Sequence, residues 1–144
     1  MFDTVLIAID EDSHAHEAVR IGARLAMDLK GSVVVFHVVP PPPTYAMQAG
    51  FYLPAGELRK AATEHGKEIL QEAATHVPDG VPTRLVVKYG EHSPWREIVQ
   101  VAEREKADLI VIGAHSQGTL TRPTLGSTAE KVSRHVRVPI LLVR

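Results

Sequence analysis

Cysteine is absent from all 144 residues, which removes disulfides, thiolate metal ligands and a cysteine nucleophile, and fits a reducing compartment. A basic excess is missing too: the net charge is −1, so a polyanion partner has no electrostatic footing and neither DNA nor RNA is expected. Long apolar runs do not occur. The first ten residues, MFDTVLIAID, have no basic segment and only a strand-length apolar stretch, so neither a signal peptide nor a membrane span is expected and the chain reads as cytoplasmic. Eight histidines are present, yet no His-Glu-x-x-His array occurs, and His14 and His16 are two apart, on different faces of a helix; a metal site is not expected. A Gly-x-x-x-x-Gly-Lys-Ser/Thr loop is also missing, with no evident base or paired magnesium carboxylates, so fast phosphoryl transfer is hard to assemble.

What is present is a regular alternation. The length suits one domain spanning residues 1–144. Thr4 to Ile9 is an aliphatic strand ending in the turn-forming run Asp10 to Ser13, which can cap a helix. Ala15, Ala18, Gly22, Leu25, Ala26 and Leu29 then recur at helical spacing, and Gly31 is expected to close that helix. Val33 to Val39 is a second strand. Four prolines, Pro40 to Pro43, take the chain out of the sheet and open a connection through Leu53 with the bulky residues Tyr45, Met47, Phe51 and Tyr52. A helix with Leu58, Ala62, His65, Ile69 and Ala73 on one face precedes a strand at Thr83 to Tyr89. Trp95, Ile98, Val99 and Ala102 mark the next helix, Asp108 to Ile112 the next strand. After a loop come a helix with Ala129, Val132 and Val136 on one face and a last strand, Ile140 to Val143. Strands alternating with amphipathic helices imply a parallel sheet with helices on both faces, and ligands in such sheets bind beyond the carboxyl strand ends where strand order reverses.

The loop between Gly113 and Thr128, GAHSQGTLTRPTLGST, lies between a buried strand and a helix start. Such a place offers backbone N–H groups and the positive end of a helix dipole to an anion, most plausibly a phosphate. Ser127 and Glu130 have capping-box spacing, which makes Ser127 the expected N-cap. Asp10, at the end of the first strand, suits a carboxylate that accepts ribose hydroxyls, or else a turn residue. Arg122 is the loop's candidate for phosphate contact, and His115 is expected to brace the loop. The final strand is apolar at every position, and at a sheet edge it would invite pairing with another chain.

Three stretches resemble the universal stress proteins. They are Ile7 to Asp10 with Ser13; His37 to Val39; and the C-terminal third, Ala107 to His115, Leu125 to Val132 and Val138 to Val143. The resemblance covers essentially the whole chain. It implies a Rossmann-like, doubly wound α/β fold of five parallel strands and four helices in the order 3-2-1-4-5. It further implies ATP as cofactor, with or without Mg, and a homodimer formed through Ile140 to Val143. The ATP-binding branch carries glycine, two residues, glycine, nine residues, then glycine and serine or threonine; here those positions are Gly113, Ser116, Gly126 and Ser127. Ala8, Val38 and Ile112 would lie near the base, Asp10 near the nucleoside, and Gly126, Ser127 and Thr128 at the phosphates. Ser116 departs from the pattern. If the loop needs positive φ there, serine costs on the order of 1–3 kcal/mol, roughly ten- to a hundredfold in affinity. The function expected is a nucleotide-binding sensor or regulator of a stress response; the alternatives are a slow ATPase and a nucleotide-free dimeric scaffold.

Overall fold

A computed structural model describes residues 1–11, 14–41, 55–114 and 125–144, with the side chains of 14 and 55 excepted. Ser13, most of the connection from Pro40 to Leu53, and His115, Ser116 and Arg122 lie outside the described residues. The order is β1 (Thr4–Ile9), α1 (His14–Asp28), β2 (Ser32–Val39), α2 (Ala55–Ala74), β3 (Thr83–Tyr89), α3 (Pro94–Arg104), β4 (Leu109–Gly113), α4 (Ser127–His135) and β5 (Ile140–Val143). All neighbouring strands run parallel, in the order β3-β2-β1-β4-β5. This is the doubly wound α/β fold expected, with four helices among the described residues.

The strands are aliphatic throughout because both faces are covered. Val5, Ile7 and Ile9 of β1 pack with Val33, Val35, Ala18, Val19 and Leu70, in the layer of α1 and α2. Leu6 and Ala8, pointing the other way, join Val34, Phe36, Ile98, Val101 and Val132 under α3 and α4. Each large side chain so buried contributes about 1.5–3 kcal/mol. Asp108 fixes the register at the other end of the sheet: its Oδ2 accepts the backbone N–H groups of Asp3 and Thr4, both at 3.0 Å.

Three local expectations need correction. On α2 the buried line is Gly66, Leu70 and Ala73, while His65 is exposed and meets Glu11 and Glu68 instead. The face is turned by one residue because α2 must lie flat on Val39 and Val87, and a Cβ at position 66 would stand 2.7 and 2.9 Å from their methyl groups. At the end of α1 the left-handed residue is Lys30, at φ 58, with the Gly31 N–H returning to the Ala26 carbonyl at 2.8 Å. Gly31 is needed for a different reason: a Cβ there would lie 2.5 Å from the Phe2 carbonyl oxygen. The third correction, at the start of α4, belongs to the cleft.

Candidate functional site

Strand order reverses between β1, whose chain continues toward β2, and β4, whose chain continues toward β5. The connections leave in opposite directions, so the carboxyl ends of the two strands open a crevice. A cavity of about 260 Å³ occupies it. Its lining includes three strand ends, Ala8 to Asp10, Phe36 to Val38 and Ile112 with Gly113, and three helix starts, Ala15, Pro94 with Ile98, and Gly126 to Ala129. Ala8, Asp10, Val38, Ile112, Gly113, Gly126, Ser127 and Thr128, scattered over the sequence, are thus brought to one place. Ser116 lies outside the described residues.

The interior is apolar and the rims are polar, the usual division in small-molecule sites, where a few polar groups set orientation. Asp10 and Glu11 are exposed carboxylates on one rim, and His65 Nε2 stands 3.5 Å from Glu11 Oε1. On the opposite rim α4 begins.

Its N-cap is Gly126, at φ −60 and ψ 148, with no side-chain cap hydrogen bond; Ser127 is the first helical residue rather than the cap. The reason is a backbone clamp. The Gly126 N–H donates to the Ala114 carbonyl at 2.7 Å, while the Gly126 carbonyl accepts from Glu130 N–H at 2.9 Å. These two bonds hold residue 126 extended and start the helix one residue early. Glu130, instead of reaching back to a cap, pairs with Arg134 at 2.7 Å. Among the described residues no side chain caps the first turn, and Ser127 and Thr128 line the cleft. The clamp also removes Gly126 N–H from the donors available to a ligand.

Two further residues had no site role in the sequence reading, though His37 belongs to one of the stretches that carry the resemblance. His37 is 3% exposed and lines the cavity. Its Nδ1 lies 3.0 Å from the Ile9 carbonyl oxygen; a carbonyl only accepts, so the proton sits on Nδ1, and the bond holds the residue just before Asp10. The available signal was a lone polar residue in an apolar strand.

Glu97 is fully buried on α3. Its Oε1 accepts the backbone N–H groups of Glu91 and His92 at 3.2 and 3.0 Å, and Oε2 faces the Lys88 ammonium. Burial raises its pKa, but Lys88 and the N–H groups of His92 and Glu91 outweigh burial and hold the carboxyl below the ordinary glutamate range. No sequence signal pointed to it: Glu97 lies off the stripe of Trp95, Ile98, Val99 and Ala102, and packing turns α3 so that Glu97, Ile98, Val101 and Ala102 face inward.

The family model of the universal stress protein family matches residues 1–144. The chain belongs to the universal stress protein family. It is 33% identical over 144 residues to a Thermus aquaticus universal stress protein encoded in a QAH/OAS sulfhydrylase 3' region, covering all of both chains. It is 25% identical, with a TM-score of 0.82, to the solved structure of MJ0577 from Methanocaldococcus jannaschii, covering 99% of this chain and 96% of that one. A third similarity is to the Archaeoglobus fulgidus universal stress protein solved in complex with dAMP, at 22% identity and a TM-score of 0.68 over the whole of both chains. At that identity the likeness is one of fold.

Proposed function

We propose that this universal stress protein binds an adenine nucleotide, foremost ATP, in the cleft between β1 and β4, and acts in the cytoplasm as a homodimeric sensor or regulator of a stress response. The observation that carries this reading is the polarity of the cleft. Carboxylates stand on one rim, an uncapped helix start on the other, and apolar side chains between them. A ribose diol suits the first, phosphates the second and a flat base the third. Asp10 would take the ribose hydroxyls, Ala8, Val38 and Ile112 would flank the base, and Gly113, Ser127 and Thr128 would hold the phosphates together with Ser116, with Gly126 allowing their close approach. Mg accompanying ATP would be carried largely on the phosphates. Support also comes from the Archaeoglobus relative, whose structure contains dAMP.

Dimerisation is proposed through β5. It lies at the sheet edge with Leu142 39% exposed, and an apolar edge strand is stabilised by pairing across a two-fold axis.

Native mass spectrometry of freshly purified protein, followed by calorimetric titration with ATP, tests the proposal. Wild type is expected to bind; Gly126→Leu, which fills the phosphate end, is expected to lose about a hundredfold, or ~2.7 kcal/mol. Ser116→Gly is expected to bind about tenfold more tightly if position 116 needs positive φ. No binding by wild type at millimolar ATP would sink the nucleotide reading and leave the scaffold. Steady release of ADP would favour the slow ATPase. The native mass of the apo protein reads the dimer directly, and Leu142→Lys is expected to return it to a monomer.

A further inference from the structure

Glu97 occupies the inward face of α3 with Ile98, Val101 and Ala102, where helical spacing calls for an apolar residue. A leucine there would carry no charge to desolvate, and buried ion pairs as a class stabilise no more than well-packed apolar groups of similar volume. Packing therefore does not explain the carboxylate, whereas the turn before α3 does. Gly90 N–H still reaches the end of β2, donating to the Val39 carbonyl at 2.8 Å. The next two N–H groups, on Glu91 and His92, both go to Glu97 Oε1. Lys88, at the end of β3, engages Oε2 and also Gln100 Oε1 at 3.2 Å, so the carboxylate cannot swing away from the turn.

What the turn holds is a wall of the cleft. A Cβ at position 90 would stand 3.0 Å from Val38 Cγ2, which puts the turn against β2 at a residue lining the cavity. Pro94 and Ile98, on the same first turns of α3, line the cavity as well. We propose that Glu97 is a positioning residue of the cleft: anchored by Lys88, its carboxylate fixes the turn at 90–93 and thereby sets the spacing between Val38 and the Pro94 and Ile98 wall that receives the apolar part of the ligand. This rests on the nucleotide reading of the cleft, and it assigns affinity to a residue that touches no ligand.

Glu97→Leu and Glu97→Gln are compared with wild type by calorimetry with ATP, by amide hydrogen exchange at residues 91 and 92, and by the emission of Trp95. Trp95 is the chain's single tryptophan; it follows Pro94, and its ring lies tilted against that of His135 with centroids 4.3 Å apart. Glutamine keeps an oxygen for the two N–H groups and leucine does not. The expected result is fast exchange at 91 and 92, shifted Trp95 emission and roughly tenfold weaker ATP binding in the leucine variant, with the glutamine variant nearer wild type in all three. A role in packing alone gives the opposite order, because a buried amide facing Lys88 fits worse than leucine. Leucine binding as well as wild type, or better than glutamine, overturns the proposal. Should Glu97→Leu not fold, Glu97→Ala replaces it with the same order expected. If wild type takes no ATP, the nucleotide reading fails by itself. Exchange and emission then decide the positioning role: unchanged in the leucine variant they overturn it, changed together they uphold it.

Discussion

The starts of α3 and α4 share nearly the same backbone. Ser93 sits at φ −61, ψ 147 and Gly126 at φ −60, ψ 148, and neither residue makes a side-chain cap hydrogen bond. Their donors nevertheless go to opposite uses. At α3 the first helical residue is Pro94, which has no N–H to satisfy, and the two turn N–H groups before it are gathered by the buried Glu97. Within the helix, the N–H groups of Arg96 and Glu97 return to the Ser93 carbonyl at 3.0 and 3.3 Å. At α4 the cap is a glycine with no side chain, its own N–H is tied to Ala114, and the following residues, Ser127 and Thr128, line the cleft. One helix start thus stands as a wall of the cleft, and the other is the proposed cradle for phosphates. A helix end can be closed by a side chain or left for a ligand, and local sequence chooses between them only when the side chain actually lies at the cap.

The largest effect expected from disturbing this contrast is on the α3 side. Lys88→Met strands the Glu97 carboxylate in the core, and breaking such a pair is expected to cost about 3 kcal/mol in urea unfolding. Replacing both, Lys88→Met with Glu97→Leu, is expected to recover most of that loss. Equal losses in the single and double variants would mean that the pair is not the source.

Acid provides a milder disturbance of the same end. Glu97 titrates below its ordinary value of 4.5 in the folded chain, so its stabilisation is fully present above about pH 4.5 and is lost as pH falls through the lower folded value. The stability difference between wild type and Glu97→Gln should therefore be constant near neutrality and shrink only in acid. A difference that instead vanishes on raising the pH through 6 to 8 would point to a histidine rather than Glu97.

The smallest effect is expected at α4. Ser127 is inside the helix and caps nothing, so Ser127→Ala should change stability by no more than about 0.5 kcal/mol, against about 1 kcal/mol for a true N-cap serine. A loss at the higher figure, measured by thermal unfolding without ligand, would restore Ser127 as the cap and close the donor end proposed for the phosphates.

Much of this protein was legible before folding. The aliphatic runs of β1, β2 and β4 could only be strands covered on both faces, and the stripes between them could only be helices lying against those faces. The residues at the strand ends were legible as a group through family resemblance and the rule of the reversed strand order. Less legible were features that depend on a partner far along the chain. His65 fits the helical stripe of α2 as well as its neighbour does, and only contact with Val39 and Val87 turns the helix so that Gly66 faces in. Glu97 reads as a solvated charge until β3 brings Lys88 to it. Ser127 and Glu130 carry the spacing of a capping box, but the bond from Gly126 to Ala114 moves the cap.

The sequence by itself determined the alternation of strands and helices, the absence of thiol chemistry and the family, because periodicity and composition act over neighbouring residues and need no partner. Only the tertiary structure decided which helix starts line the cleft and which backbone donors beside them are consumed by the protein. That depends on hydrogen bonds between Ala114 and Gly126, and between Glu97 and the turn before it, whose geometry is set when β1, β2, β3 and β4 pack side by side.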